Sequence, residues 1–273
     1  MQDADKLSQE QIEAALATRV FGRNLAVLPR TGSTNDVAKE LAAQGAPEGT
    51  VVVADEQTAG RGRMGRRWLA PPGTCLLCSI LFHPDLPPTR AQRLTMLCAL
   101  AMAGAVEETA GLRVWLKWPN DLIIESRISN PETRNWRKLG GILTETGVVG
   151  EQLDFVVVGI GVNVNVPPQT LPTLAPDATS ILAEVGRPVD RIMLLAALLS
   201  GVERRYAALR AGESPHQEWA AWLATLGQPV KATTCEGVLT GVAESVDEDG
   251  ALLLRTPDDV LHRLVAGDVT LHR

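Results

Sequence analysis

The chain has 273 residues, of which 45% are hydrophobic, and it carries 26 Lys and Arg against 32 Asp and Glu, a formal net charge of −6. This size and composition suffice for one large folded domain or two smaller ones. The excess of acidic residues argues against a general nucleic-acid binder, which needs a basic face or stripe. No apolar run approaches the roughly 20 residues that span a bilayer, and the acidic N-terminus lacks the features of a secretory signal. A cytoplasmic protein without membrane contact is therefore expected.

The predicted elements of the first half are helices and strands in alternation. Ser8 to Gln11 resembles a capping box at the start of a short helix, and Ser33 to Asp36 caps a second helix that stops at Gly45. A β-branched strand, a further buried strand and a long alanine-rich helix closed by Gly111 follow. The predicted ranges are helix 7–19, helix 33–44, strand 50–54, strand 75–82 and helix 89–110.

The second half contains strands, then helices, then a small β unit. Strands are predicted at 113–117, 122–125, 139–146 and 155–163, and helices at 177–185, 190–211 and 215–226. A polar insert with a proline, 126–137, predicts a hairpin loop or flap. Beyond Gly227-Gln-Pro229 the chain alternates and turns as a β unit, with a hairpin signal at 247–250. The expected domains are therefore 1–227 and 228–273, and the short second domain is expected to dock on the first.

The most informative segment is Gly60 to Trp68, which reads G-R-G-R-M-G-R-R-W and holds three glycines and four arginines without an acid. Glycine lets the backbone approach a ligand closely, and arginine matches phosphate and carboxylate groups. The alternative is a solvated basic turn, which repulsion between the arginines and the entropy of the glycines make unfavourable. This segment, called the Gly/Arg loop below, predicts an anion site that is mobile without its ligand.

The Gly/Arg loop also has the glycine spacing of a dinucleotide-binding fingerprint. That motif needs a helix at its last glycine to meet the pyrophosphate, and Pro71-Pro72 prevents such a helix here. A second glycine pair, Gly159-Ile-Gly161, is expected to continue as a strand. A nicotinamide cofactor is accordingly not expected.

Cys75 and Cys78 have the C-x-x-C spacing of zinc or redox sites, but no second pair or histidine cluster completes such a site. They lie in a predicted strand, where residues three apart point to opposite faces. Two small buried residues are the expected reading.

Three further segments carry polar residues beside predicted strands. Two interpretations of Lys117-Trp-Pro-Asn-Asp121 are open. It is either an ordinary turn or a turn whose lysine contacts a phosphate while its aspartate supplies a carboxylate to the same site. Lys138 precedes Gly140-Gly141 where the chain re-enters a strand, so it is either solvated or directed at a bound carbonyl or carboxylate. Asn163 closes an apolar strand and needs a partner, which a ligand or the backbone would supply.

Taken together, these segments resemble the biotin–protein ligases. The resemblance covers roughly residues 20–273, and the combination of G-R-G-R-x-G-R-x-W with K-W-P-N-D is highly specific. The similar segments, in family order, are 33–35, 57–68, 117–121, 137–143, 159–163 and the SH3-like segment 237–270. The resemblance implies an α+β fold, in which a mixed, mainly antiparallel sheet flanked by helices forms a catalytic domain like those of class II synthetases. A small C-terminal SH3-like β-barrel completes it.

The family makes biotinoyl-5′-AMP from biotin and ATP with Mg²⁺, and passes biotin to one lysine of a biotin carboxyl carrier protein. The resemblance implies biotin contacts at Ser33, Thr34, Asn35, Gln57, Arg61, Gly62, Arg63, Lys138, Gly140 and Gly141. It implies ATP or adenylate contacts at Gly60, Arg63, Trp68, Asn120 and Asn163. Catalytic roles are implied for Arg61, Arg63, Lys117, Asp121 and Lys138, with Asp121 also a ligand of Mg²⁺. No tightly bound metal is expected.

Two departures from the family pattern affect these expectations. Only 32 residues precede Ser33, too few for the winged helix-turn-helix of the repressor members, so a ligase without DNA binding is expected. The sequence leaves open whether it is a monomer or a homodimer. The insert 126–137 is longer than a tight connection and bears on the local position of Lys138. The alternatives are a lipoate–protein ligase of the same fold, disfavoured by the loop that ends in Trp68, and a biotin- or nucleotide-sensing domain without turnover.

Overall fold

The computed structural model describes residues 6–126, 135–235 and 237–271. Within these ranges the chain forms a large sheet flanked by helices and a smaller C-terminal sheet. Among the described residues, none of the helices combines the length and apolar character needed to cross a membrane. The helices are α1 (Gln9–Ala15), α2 (Thr34–Ala43), α3 (Gln92–Ala110), α4 (Leu171–Leu174), α5 (Ile181–Val185), α6 (Arg191–Arg210) and α7 (His216–Trp222).

The large sheet is mixed and mainly antiparallel. Its strands are β1 (Leu25–Leu28), β2 (Val51–Ala54), β3 (Cys75–Phe82), β4 (Trp115–Lys117), β5 (Asp121–Ser126), β6 (Asn135–Val149) and β7 (Gln152–Asn163). They are arranged in the order β1-β2-β3-β7-β6-β5-β4, in which β1 and β2 run parallel and the other described neighbours antiparallel. The predicted α+β class is confirmed.

Both faces of this sheet are covered, which explains why its central strands are apolar without alternation. Val51 and Val53 pack in the main core with residues of α3 and α6, whereas Val52 packs in a separate cluster beneath α2. Cys78 belongs to the main core and Cys75 to another cluster, so the two thiols lie on opposite faces, as predicted. Burial raises the pKa of Cys75 to about 11 and that of Cys78 to about 12, which keeps both protonated.

The helix predicted over 215–226 ends at Trp222, and two other predicted helices are also shorter than the sequence pattern suggests. The helix predicted over 7–19 ends at Ala15, and the backbone N–H groups of residues 19–21 donate to the carboxylate of Glu203 instead. The helix predicted over 177–185 begins only at Ile181. Residues 177–179 run beside β6, where the N–H of Lys138 donates to the carbonyl of Asp177. In both places a long-range partner replaces local helical hydrogen bonds.

Two parts of the sheet were not predicted. Strand β1 is half-buried throughout and gives no alternating signal. Part of the predicted insert 126–137 is strand, since β5 extends to Ser126 and β6 begins at Asn135. The rest of that prediction, 127–134, lies outside the described residues. The chain therefore enters β6 earlier than predicted, and Lys138 lies within a paired strand.

The C-terminal segment forms an antiparallel sheet that packs against the large one. Its strands are β8 (Pro229–Thr234), β9 (Gly237–Val246), β10 (Leu252–Arg255), β11 (Leu261–Leu264) and β12 (Asp268–Leu271), arranged in the order β11-β10-β9-β8-β12. Arg93 of α3 donates to Asp249 over 2.9 Å, and the indole N–H of Trp118 donates to the carbonyl of Gly250 over 2.9 Å. The small sheet is thus joined to the lysine-containing turn at 117–121 by a buried contact.

Gly159 of β7 lies where α2 crosses the sheet, and a Cβ there would lie 2.1 Å from Oδ1 of Asn35. Gly159→Ala is therefore expected to lower the free energy of unfolding by about 2 kcal/mol, as overpacking does in a rigid core. Urea denaturation measures this. Gly104→Ala in α3, where an added Cβ meets no described heavy atom within 4 Å, is the matched control and should be neutral or slightly stabilising. Equal losses in both variants would contradict this explanation.

Candidate active site

A cavity of about 330 Å³ lies between the Gly/Arg loop and strands β5, β6 and β7. Its volume is in the range of small-molecule sites. Predicted site residues from distant segments line it: Ser33, Thr34, Asn35, Gln57, Arg61, Gly62, Arg63, Trp68, Lys117, Asn120, Asp121, Lys138, Gly141 and Asn163. Gly60 and Gly140, also predicted as contacts, do not line it. A Cβ at Gly60 would lie 2.7 Å from the carbonyl of Trp68, and one at Gly140 would lie 2.6 Å from that of Gly161, so both permit close backbone packing.

Thr34, Asn35 and Gln57 line one wall of the cavity, and Ser79 lies behind them in hydrogen-bond contact. These four connected polar side chains are called the polar floor below. Gln57 accepts from the backbone N–H of Thr34 over 2.7 Å and from its hydroxyl over 3.1 Å. The hydroxyl of Ser79 lies 2.7 Å from that of Thr34 and 2.6 Å from Oδ1 of Asn35. Because Thr34, Asn35 and Ser79 are buried, Gln57 is half-buried, and all four are mutually bonded, the polar floor presents uncharged donors and acceptors in fixed positions.

The Gly/Arg loop folds back on itself above this floor. The N–H of Gly62 donates to the carbonyl of Arg66 over 2.7 Å, and the N–H of Trp68 donates to that of Gly60 over 2.9 Å. The turn passes through positive φ at Met64 (55°) and Gly65 (72°). Glycine adopts such a conformation without a steric penalty, whereas Met64 is left-handed and exposed. The loop is therefore a short hairpin whose arginines project from a defined backbone.

The arginines of this loop are not uncompensated, which corrects the sequence argument that no acid lies near them. Arg61 forms a bidentate pair with Asp36 of α2 and donates to Glu145 of β6 over 3.0 Å. Arg66 pairs with Asp268 of β12. These acids are distant in sequence, so a local reading could not find them. The prediction that the loop is mobile without a ligand depended on repulsion between its arginines. Protein carboxylates already balance part of that positive charge, so repulsion no longer supports the prediction.

Arg63 differs from its neighbours in the loop. It is half-buried against the cavity, and it donates a long hydrogen bond of 3.3 Å to the side-chain carbonyl of Asn120. Burial lowers the pKa of Arg63 below its ordinary value, although Asp121 and Asp268 oppose that shift. A guanidinium remains charged at neutral pH under such a shift. Arg63 is thus a partly desolvated cation directed at the cavity, which is the state that favours binding of an anion.

Asp36 offers a test of the ion pairs around the loop. The hydrogen bond from Arg61 lowers the pKa of Asp36 from 3.8 to about 2. A carboxyl whose folded pKa is depressed stabilises the fold above its unfolded pKa and loses that contribution as the pH falls through the folded value. We expect wild type to exceed Asp36→Asn in urea midpoint above about pH 4, with the difference vanishing towards about pH 2. A difference that persists at the acid end would exclude this ion pair as its source.

Asp121 lies between two lysines at the start of β5. Its Oδ1 accepts from Lys138 over 2.6 Å, and its Oδ2 lies 3.9 Å from Nζ of Lys117. The bonds that fix Lys138 in the sheet are its N–H to Asp177 and its carbonyl to the N–H of Thr179. Because backbone pairing fixes both ends of this arrangement, the two ammonium groups and one carboxylate form a preorganised cluster at the cavity wall.

The donor set can be tested for a metal. Among the described residues no group of three or more His, Cys, Asp or Glu side chains converges as a metal site. Mg²⁺ that accompanies a nucleotide needs only one or two carboxylates, because phosphates and water supply the remaining ligands. The carboxylate of Asp121 at the cavity wall fits a site for Mg²⁺ that accompanies a nucleotide.

The C-terminal sheet contributes Gly267 and Asp268 to the cavity, which the sequence analysis did not predict. Burial opposes ionisation of Asp268, but the hydrogen bond from Arg66 and the charges of Lys117 and Lys138 lower its pKa. The signal in the sequence is the A-G-D-V segment at 266–269, which lies within the SH3-like segment 237–270. The cavity is therefore closed on one side by a second structural unit.

Trp68 and Asn163 occupy the far end of the cavity. The indole of Trp68 lies directly over Gly161, where an added Cβ would be 2.8 Å from the ring, and Nζ of Lys138 lies 6.0 Å from its centroid. The indole Nε1 is buried and has no hydrogen-bond partner within the described residues. Asn163 donates to the carbonyl of Thr179 over 2.9 Å, so the backbone satisfies it. The lack of side chains at Gly159 and Gly161 thus allows close packing against Asn35 and Trp68, respectively.

Comparison with known proteins agrees with this geometry. Residues 27–163 match the model of the biotin/lipoate A/B protein ligase family, and residues 225–271 match that of the biotin protein ligase C-terminal domain. The bifunctional ligase/repressor BirA of Bacillus subtilis is 36% identical over 97% of this chain and 79% of its own length. The biotin–[acetyl-CoA-carboxylase] ligase of Mycobacterium tuberculosis is 33% identical over 98% of both chains.

Solved structures give the same assignment. The biotin protein ligase of Aquifex aeolicus in complex with biotin and ATP is 28% identical, with a TM-score of 0.72 over 92% of this chain and 99% of its own. A mixed sheet, a cavity under a Gly/Arg loop and a small C-terminal β unit therefore define an ATP-dependent ligase that attaches a vitamin to protein. Within that class, the chain belongs to the biotin protein ligase family.

Proposed function

We propose that this chain activates biotin with ATP to biotinoyl-5′-AMP, with release of pyrophosphate, and then transfers biotin to a lysine of a carrier protein. The observation that supports this most is that residues distant in sequence line one cavity: Thr34, Asn35 and Gln57 of the polar floor, the Gly/Arg loop, the turn at 117–121 and Lys138. Solvated turns or isolated surface lysines would not converge in this way. The alternative of a lipoate–protein ligase is not favoured, since the relatives and solved structures described above are biotin ligases.

The two ends of the cavity suit the two ends of the reaction. The polar floor offers uncharged hydrogen-bonding groups, which match a neutral ring system such as the ureido ring of biotin. Arg63, Lys117 and Lys138 offer positive charge, which matches a carboxylate and phosphates. We therefore assign the floor to the vitamin ring and the cationic side to the reacting groups, with Trp68 and Asn163 beside the nucleotide.

Adenylation joins two anions, because the biotin carboxylate attacks an α-phosphate that is itself negative. No protein nucleophile is needed; the protein must neutralise charge and hold the reactants in line. Arg63, Lys117 and Lys138 neutralise the approaching groups, and Asn120 holds Arg63 at the cavity. We assign Mg²⁺ to the carboxylate of Asp121, where the ion would supply further charge neutralisation to the phosphates.

The product of this step is a mixed anhydride that water would hydrolyse. A loop that lies over the cavity and directs a half-buried arginine into it reduces access of solvent. Transfer then needs the acceptor lysine as a free amine, although its unperturbed pKa is about 10.4. Asp121 is the acid nearest to Lys138 in this cavity, and we assign to it the orientation or deprotonation of the incoming amine.

The remaining assignments follow from the family and from the sequence. We propose a carboxylase's biotin carboxyl carrier domain as the acceptor, a cytoplasmic location, no role in nucleic-acid binding, and a monomer or homodimer. We also propose the domain division 1–227 and 228–273. The match of residues 225–271 to a separate family model and the separate sheet at 229–271 support that division.

The decisive experiment is mass spectrometry of a carrier-domain fragment after incubation with this protein, biotin and MgATP. Addition of one biotin to a single lysine is expected. Replacement of biotin by lipoate tests the related ligase activity, and pyrophosphate release with biotin and ATP alone distinguishes an enzyme from a sensor. Binding of biotin without release of pyrophosphate and without modification of the carrier would overturn the proposal.

A further inference from the structure

Glu145 of β6 lies behind the cavity wall and joins three elements through one carboxylate. Its Oε2 accepts from the amide of Asn35 over 2.7 Å and from Arg61 over 3.0 Å, and its Oε1 accepts from Lys39 over 2.8 Å. Asn35 and Lys39 belong to α2, and Arg61 belongs to the Gly/Arg loop. The half-buried carboxylate therefore holds a helix, a strand and the loop together.

The bond to Asn35 determines which way that amide faces. Its nitrogen donates to Glu145 and to the carbonyl of Leu143 over 3.2 Å, so its oxygen faces Ser79 and, through it, Thr34. Asn35 is 3% exposed and lies against Gly159, so its amide depends on hydrogen-bond partners within the protein. The orientation of the polar floor consequently depends on an acceptor at position 145.

The bond to Arg61 fixes the near end of the Gly/Arg loop. Arg61 is held by Asp36 and Glu145, whereas Arg63, two residues further along, is directed into the cavity. The ion pairs of Arg61 thus limit where Arg63 can lie. Asp36 shares the loop contact and the contact to Lys39, but among the described residues the structure shows no hydrogen bond from Asn35 to the carboxylate of Asp36.

We propose that Glu145 is a positioning residue that couples the polar floor to the Gly/Arg loop through simultaneous bonds to Asn35 and Arg61. This rests on the proposed function, because it assigns the floor to biotin and the loop to retention of the adenylate. The acceptor oxygen of Glu145 acts on the floor, and its negative charge acts on the loop. These two actions can be separated by substitution.

The test compares Glu145→Ala, Glu145→Gln and Asp36→Asn, with Glu151→Gln at the exposed turn after β6 as control. The KM for biotin is measured from the rate of transfer to the carrier protein. The release of biotinoyl-AMP is measured without the carrier protein. Glu145→Ala is expected to raise both about tenfold, the effect of losing a charged hydrogen bond. Glu145→Gln keeps an acceptor for Asn35, so its KM should stay near that of wild type while release rises. Asp36→Asn should likewise raise release alone.

Two results would overturn the proposal: wild-type KM and release in both Glu145 variants, or the same rise of KM in Glu145→Gln as in Glu145→Ala. Thermal melting of each variant identifies a purely structural effect, which would lower the Tm without moving KM or release. Should Glu145→Ala fail to fold, the comparison of Glu145→Gln with Asp36→Asn retains the prediction for release. If the wild-type protein makes no adenylate, the proposed function fails and this inference fails with it. If the wild-type protein makes adenylate and the Glu145 variants have the same KM and release as wild type, only this inference fails.

Discussion

Replacing Lys138 with alanine is expected to raise the KM for biotin about thirtyfold, in the range of a lost charged hydrogen bond to a carboxylate. Lys138 is a fixed ammonium group at the cavity, anchored by backbone pairing on both sides and bonded to Asp121 over 2.6 Å. Among the described residues, its removal also leaves Lys117, 3.9 Å away, as the ion-pair partner of Asp121. The loss should therefore fall on binding of the vitamin and on adenylation together.

The measurement is the initial rate of pyrophosphate release at varied biotin with saturating MgATP. Lys231→Ala, an exposed lysine on β8, is the matched control and should leave the rate unchanged. Lys138→Arg retains a charge but not the geometry of a single ammonium, so partial recovery is expected. An unchanged KM in Lys138→Ala would remove this lysine from the biotin site.

Replacing Arg63 with alanine is expected to impair retention of the adenylate more than its formation. Arg63 is the half-buried cation that the loop directs into the cavity, with Asn120 as its hydrogen-bond partner at 3.3 Å. A mixed anhydride of phosphate and carboxylate that loses such a partner should dissociate from the protein about tenfold to a hundredfold faster. Free biotinoyl-AMP should then accumulate in solution and react with exposed lysines of unrelated proteins.

Quenched-flow sampling and filtration separate bound from free adenylate and so measure this effect. Arg187→Ala, an exposed arginine in the turn after α5, controls for loss of surface charge. Arg61→Ala is informative beside it, because Arg61 is held by Asp36 and Glu145 and should act through the position of the loop. If Arg63→Ala neither releases adenylate nor binds it more weakly, the loop does not contain the intermediate.

Much of the cavity could be predicted because its motifs are contiguous in sequence. The turn at 117–121 places Lys117 and Asp121 at opposite ends of a tight β4–β5 connection, where they pair directly. The Gly/Arg loop presents its residues in sequence order on a short hairpin. The placement of Arg63, Trp68 and Lys138 at the cavity was implied by the resemblance to the biotin–protein ligases, which these contiguous motifs carry.

The acids that balance this charge could not be predicted from the sequence. Asp36, Glu145 and Asp268 lie on three separate elements and meet the loop only through tertiary packing. For the same reason the helix predicted over 177–185 was partly wrong, since a bridge between Lys138 and Ala178 replaces its first turn. Glycines at 159 and 161 resembled a phosphate motif because close packing and phosphate contact impose the same requirement for a missing side chain.

The small sheet supplies one wall of the cavity, through Gly267 and Asp268. Gly267 adopts a φ of 155°, and an added Cβ would lie 2.9 Å from the carbonyl of Thr233, so few residues could replace it at the start of β12. A chimera that grafts the C-terminus of another ligase onto this chain therefore has to preserve a glycine–acid pair opposite Arg66. Exchange of that segment alters the cavity itself. Engineering of this enzyme therefore has to keep or replace the two structural units together.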